Sequence, residues 1–156
     1  MDTLYSSKIL DYAADIPRAR RLEAPAASAF KRSRLCGSEV TVDLDVEAGR
    51  VSDFGMEAKA CALGQCSASI VAQTIVGSTP EELRRVASAM RAMLKEGGPP
   101  PEGRWAELAI LEPVKDYPQR HASTLLVFEA VVDCLDQIEG RERAAAPGCA
   151  AGEAGP

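Results

Sequence analysis

No Cys-x-x-Cys pair occurs anywhere in the 156 residues, although five cysteines are present at positions 36, 61, 66, 134 and 149. That absence excludes a thioredoxin-type redox motif and a zinc knuckle, both of which need the four-residue spacing to bring two sulfurs to one point. No block of basic residues forms a stripe, and 18 Lys and Arg are outnumbered by 23 Asp and Glu for a net charge of −5. A phosphate backbone has nothing to follow, so nucleic acid is not an expected partner. No stretch approaches the ~20 apolar residues that cross a bilayer. The N-terminal MDTLYSSKILDYAADIPRARRLE also lacks the basic start and apolar run of a secretory leader. The expectation is a cytoplasmic protein with no membrane partner. Internal repeats are absent too, and histidine is nearly so, with His121 alone.

The length suits one domain with a core of its own, here residues 1–140. After Gly140 the chain turns to Ala, Gly and Pro, and such a tail, 141–156, buries too little to order itself. Leu4, Ile9, Leu10 and Ala13 recur at helical spacing before Pro17. A short edge strand is expected near ASAFKRSRL, residues 27–35. From Glu39 the alternation is clean: Val40, Val42, Leu44 and Val46 share one face, Thr41, Asp43 and Asp45 the other. With EAGR as a turn and Phe54, Met56 and Ala58 continuing the pattern, this predicts an antiparallel hairpin.

A helix beginning at Cys61 then carries Leu63, Cys66, Ile70, Val71 and Ile75 on one stripe that stops at Gly77. Thr79, Pro80 and Glu82 form an N-terminal capping signature for a second helix, with Leu83, Val86, Met90 and Met93 facing inward. RWAELAILEPVKDYPQR reads as a short helical turn followed by an extended segment. A last helix carries Val127, Val131, Cys134 and Ile138 on one stripe. Strands grouped together and helices grouped after them predict an α+β fold, a small antiparallel sheet of about three strands with helices packed on one face.

The cysteines sort by surroundings. Cys66 shares the stripe of Leu63 and Ile70 and reads as a small core hydrophobe, as does Cys134 between Val131 and Ile138. Cys149 lies in the tail. Cys61 stands at a strand-to-helix junction, where free N–H groups and the helix dipole favour a thiolate. Cys36 sits in the loop RLCGSE, followed by a glycine that frees the backbone. Cys61 and Cys66 are five positions apart, about 140° round a helix, so they are not expected to act as a pair.

Three segments, taken in order, resemble the iron-sulfur cluster assembly scaffolds of the NifU-like N-terminal, IscU and SufU type. LCGSEVTVDLDVE resembles the family's Cys-Gly-Asp and following strand, and ACALGQCSASIVAQTIVG its Gly-Cys segment and Ser-Ala-Ser helix. VKDYPQRHASTLLVFEAV resembles the aromatic-Pro-x-Arg stretch before the third cysteine and last helix. The resemblance covers about residues 5 to 138 and is closest to the SufU branch, from the long stretch after Gly77. It implies a SufE/NifU-like fold and a non-enzymatic scaffold that accepts sulfur and iron and holds a transient cluster, [2Fe-2S] in kind, for transfer to apoproteins. The implied partners are a cysteine desulfurase, recipient apoproteins and a second copy in a homodimer.

Carried over by position, Cys36 and Cys61 match two of the three cysteines that hold cluster or zinc in the family, and Cys61 is the implied sulfur acceptor. The rest of the site departs. Ser38 stands where the family has Asp, Ser123 where it has the third cysteine, and Ala122 where the IscU branch has histidine. A neutral hydroxyl is a poor ligand beside a thiolate. His121 is a candidate substitute through a ring nitrogen, or else a solvent-facing helix start. Cys66 joins the ligands only if its side chain turns out of the core. Two alternatives to the scaffold therefore stand: a zinc-linked persulfide acceptor for a desulfurase, and a degenerate docking relative without metal.

Overall fold

The computed structural model describes residues 6–35 and 37–145. The sheet has three antiparallel strands in the order β1 (Ala27–Arg32), β2 (Glu39–Glu47), β3 (Arg50–Lys59). Ala48 and Gly49 at the hairpin tip both have positive φ, the backbone that lets a two-residue turn follow the strand twist. The register sets Ala27 opposite Leu44, Ala29 opposite Val42, and Val42 opposite Met56, so the apolar alternation of all three strands falls on one face. That face is the core side. Along it lies α4 (His121–Ala145), whose Val127, Val131, Cys134 and Leu135 are buried and whose Cys134 thiol donates to the Val42 carbonyl at 3.4 Å. Ala27 and Ala29 are buried beneath it, and their small side chains allow the close approach.

The helix α2 (Ala62–Thr74) is the central element, packed against α4, α1 (Ser7–Ala14) and β3. Its expected stripe is buried in full, and Gly64, Ser67, Ala68, Ser69 and Ala72 are buried as well. Small residues let neighbours close in on every side. At its C-terminal end Arg104 donates to the carbonyls of Thr74 and Val76 and Arg50 to that of Gly77 at 2.8 Å. Cations at that end oppose the helix dipole. In α3 (Pro80–Glu96) Thr79 accepts from the Glu82 amide at 3.2 Å and Gly97 closes the helix at φ 71°. The Glu82 carboxylate accepts from the Trp105 indole at 3.1 Å.

Four differences from the sequence expectations have physical causes. Residues Gly103–Asp116 are 3₁₀ helix throughout, not a turn plus an extended segment, and Pro118–Arg120 add another short piece. Trp105, Leu108, Leu111 and Val114, all buried, recur every third residue, the period of a three-residue turn. Leu10 is 43% exposed, while Ile9 is buried and Tyr12 and Ile16 pack on the core. Leu4 lies outside the described residues. The last helix runs through Gly140 to Ala145, and Arg141 donates to the Ala26 carbonyl, tying this extra turn to the start of β1. Finally, the sheet face opposite the helices is partly covered by the crossing segment after α1. The Arg20 carbonyl accepts from the Met56 amide at 2.9 Å, and a Cβ on Gly55 would stand 2.4 Å from that oxygen. Beside it, Asp43 of the expected wet face is 0% exposed.

Candidate sulfur site at the strand-to-helix junction

Strand β3 ends at Lys59, and two residues later Cys61 forms the N-cap of α2 in extended backbone, φ −67° and ψ 171°. Its carbonyl accepts the Gln65 amide at 2.9 Å and starts the helix, but its side chain makes no cap hydrogen bond. The sulfur turns instead to α4, where Sγ lies 3.3 Å from Ser123 Oγ. Cys61 is half-buried and Ser123 is 2% exposed, so the sulfur is reached from solvent on one side and walled by α4 on the other. The Ser123 hydroxyl is also 3.2 Å from the Arg120 carbonyl, which Thr124 Oγ1 supplies with a proton at 2.8 Å. With its single proton on the Arg120 carbonyl, the Ser123 hydroxyl has its oxygen left to accept from the Cys61 thiol.

Gly64 makes this meeting of helices close. A Cβ there would stand 2.8 Å from Ala60 Cβ and 3.0 Å from the Ser123 carbonyl oxygen. A glycine inside a helix is costly by about 1 kcal/mol against alanine, which is the one sign of the contact in the sequence. Gly64→Ala is expected to lower stability by about 1–3 kcal/mol through overpacking. It should also push α2 from α4 and speed alkylation of Cys61. Urea melts and the iodoacetamide rate check both; an unchanged alkylation rate would mean that the helices reseat without opening the junction.

The remaining candidates are placed as follows. Cys66 is 0% exposed on the inner side of α2; burial first, and then the negative charge of Glu107, push its thiol up to about 12. It is a core residue, as is Cys134, whose thiol burial also pushes up to about 12. Cys36 and Cys149 lie outside the described residues. The flanking chain is described: Ser33 and Ser38 close a turn through Ser33 N–H to Ser38 O at 2.9 Å and Gly37 N–H to Ser33 O at 2.8 Å. Glu39 pairs with Lys59, so Gly37 and Ser38 lie at the end of the sheet that leads to Cys61. Ser38 is buried.

His121 is 7% exposed, against the reading of a solvent-facing helix start. Its Nε2 is 3.0 Å from the Val114 carbonyl and 3.2 Å from that of Lys115. Carbonyls only accept, so Nε2 carries a proton and is not available as a metal donor. The ring thus fastens the 3₁₀ segment to the start of α4. Among the described residues no three His, Cys, Asp or Glu side chains gather as a metal-holding set, and no helix is long and apolar enough to cross a membrane.

The sequence profile described as the NifU-like N terminal domain matches residues 4–124. The chain belongs to that family. A relative from Thermotoga maritima, named iron-sulfur cluster assembly scaffold protein IscU, is 29% identical over 135 residues, 86% of this chain and 94% of that protein. The crystal structure of the N-terminal part of a nitrogen-fixing NifU-like protein from Brucella abortus is 51% identical. It superposes with a TM-score of 0.88 over 90% of this chain and 97% of its own. A putative scaffold protein for the SUF system from Fervidobacterium islandicum AW-1 shares the fold at 24% identity and TM-score 0.79, over 85% of this chain and 96% of its own. The three-stranded sheet with its helices is the α+β fold of these NifU/IscU-like neighbours. Within this NifU-like chain the neighbour of Cys61 across the helix interface is a hydroxyl, not a third thiol.

Proposed function

We infer that the protein is a scaffold for iron-sulfur cluster assembly, on which sulfur and ferrous iron meet and from which the cluster passes to apoproteins. The observation that carries this reading is the half-buried Cys61 at the N-terminus of α2, in contact with Ser123, in a chain of the NifU-like family. Partial exposure lets a donor reach the sulfur. The cluster is cargo of the [2Fe-2S] kind, with Cys36 and Cys61 as its thiolate ligands. Two thiolates leave two of four ligand positions, which His121 Nδ1, small thiols or a second copy in a homodimer would fill. Sulfur comes from a cytoplasmic cysteine desulfurase.

A second reading, sulfur carriage as a persulfide with or without zinc, is favoured by one observation: the group touching Cys61 is the Ser123 hydroxyl, which cannot serve as a good ligand beside a thiolate. Anaerobic reconstitution with ferrous iron and sulfide, beside a zinc-loaded sample, separates the two. The scaffold reading expects visible absorption bands of a cluster with about two irons each. Zinc uptake with no cluster bands would remove it and leave the persulfide carrier.

A further inference from the structure

We propose that the open edge of β1, at Phe30 and Arg32, is a docking site for an extended acidic and apolar segment of a partner protein, which adds to the sheet beside β1. This strand is paired on one side only, with β2. The Ser33 amide donates to the Ser38 carbonyl at 2.9 Å, one step beyond the pair of Arg32 with Glu39, and bonded and non-bonded pairs alternate along an antiparallel ladder. The main chains of Ala27, Ala29 and Lys31 therefore turn to β2, and those of Ser28, Phe30 and Arg32 to the open side. The first part of that edge is covered by one stripe of α4: Gln137 donates to the Ser28 carbonyl at 2.8 Å, Arg141 donates to that of Ala26, and Asp133 pairs with Lys31 at 3.2 Å. Such covers matter because a bare edge captures other strands. At Phe30 and Arg32 the cover stops. Among the described residues nothing bonds to the outward main-chain groups of either one.

Strand addition draws affinity from main-chain bonds and specificity from the places offered to alternate side chains, and each face of this edge offers one. On the outer face Phe30 is 56% exposed. On the helix face a groove of about 440 Å³ starts at Lys31 and crosses α4 to Arg91 of α3, with Ala87, Leu125, Phe128 and Val132 as its apolar lining. Successive side chains of an added strand point to opposite faces, so one residue rests on Phe30 while its neighbour enters the groove. Charge then selects the occupant. Arg32, its side chain 62% exposed, meets Glu39 only at 3.6 Å, and Arg34 meets no carboxylate among the described residues. Of the acids beside the groove, Asp133 and Asp136 are already paired, with Lys31 and Arg84, and Glu129 is offset by Arg91 on the other lip. The uncompensated charge at the edge is positive, so the fitting segment is apolar over Phe30 and the groove and acidic toward Arg32 and Arg34. A second copy fits worse, because its β1 carries the same basic run.

The test adds a short end-blocked peptide of alternating valine and glutamate to the metal-free full-length chain and follows amide hydrogen exchange by NMR. At saturation the Phe30 and Arg32 amides should slow at least about tenfold, while those of Ala29 and Lys31, already paired with β2, change little. Binding should weaken as salt is raised, and a peptide of alternating valine and lysine should not bind. Arg32→Pro removes an outward donor where an edge tolerates proline, and should weaken binding about tenfold. Arg32→Gln keeps the N–H and should lose about threefold, as should Phe30→Ala. A valine and glutamate peptide N-methylated at every residue should not bind, a result that needs no variant to fold. Absence of binding, equal binding of the lysine or the N-methylated peptide, or binding that leaves the Phe30 and Arg32 amides unchanged would overturn the proposal. So would slowing of those two amides with protein concentration alone, which would give the edge to a second copy.

Discussion

Asp43→Asn is expected to cost about 2–3 kcal/mol, the largest stability loss of any isosteric change in the sheet. The carboxylate lies at 0% exposure on the face opposite the helices, and every bond it makes is to the segment crossing over it or to the neighbouring strand. Arg21 Nε donates to Oδ2 at 2.6 Å and Nη2 to Oδ1 at 3.1 Å, the Leu22 amide donates to Oδ2 at 2.9 Å, and the Ser28 hydroxyl donates to Oδ1. An amide in its place turns an NH₂ toward groups that are donors themselves. Arg21 is partly exposed and can turn to water, which keeps the cost below the ~3–5 kcal/mol of a fully enclosed broken pair.

The loss should also depend on pH. Burial pushes the Asp43 carboxyl up, but hydrogen bonds from Arg21, Ser28 and the Leu22 amide, with the charge of Arg21, outweigh it and hold the group below its ordinary 3.8. The unfolded chain therefore takes the proton first as acid is added. The carboxylate's contribution is complete above the ordinary value and drains away as pH falls through the lower folded one. Urea melts of wild type and Asp43→Asn should differ by a constant amount at neutral pH and converge at the acid end. A gap of the same size at every pH would show that shape, not charge, is what the substitution removes.

Asp43 also marks where the sequence stops being readable. Its alternation with Val42 and Leu44 placed it on the second face correctly, but alternation says only which residues share a face, not whether another segment covers that face. The covering depends on Arg21 and Leu22, some twenty residues away, and on Gly55, whose lack of a Cβ admits the crossing backbone. Local chemistry was legible: the Thr79 cap and the hairpin turn form as the sequence dictates. The tight helix at 103–116 was written in the period-three spacing of Trp105, Leu108, Leu111 and Val114, which an eye set for 3.6 passes over. At the site, the N-cap position gave Cys61 its exposure and motif order brought Ser123 to it. The ring of His121 was not legible, because the carbonyls that hold it lie in the preceding segment and become neighbours only after that segment coils.

The two cysteines of KACALGQCSAS should respond to alanine in opposite ways. Cys61→Ala should abolish sulfur loading and reduce cluster reconstitution to background, while the melting temperature stays near that of wild type, because its side chain is half-buried and its only described side-chain bond is to Ser123. Cys66→Ala should load sulfur normally and lose about 1 kcal/mol, or about 2–4 °C in melting temperature. Its sulfur fills a wholly buried place between Leu63 and Ile70, and burial keeps the thiol near 12, so that at neutral pH little of it is thiolate. Sulfane sulfur by cyanolysis, cluster absorbance and a thermal melt, read on the two variants together, give independent signs of the two roles. Equal loss of loading in both would mean that α2 turns on its axis to present Cys66 at the junction. That turn would carry Leu63 and Ile70, now wholly buried, toward solvent at about 1.5–3 kcal/mol for each side chain exposed. A cost of that size makes the opposed result the expected one.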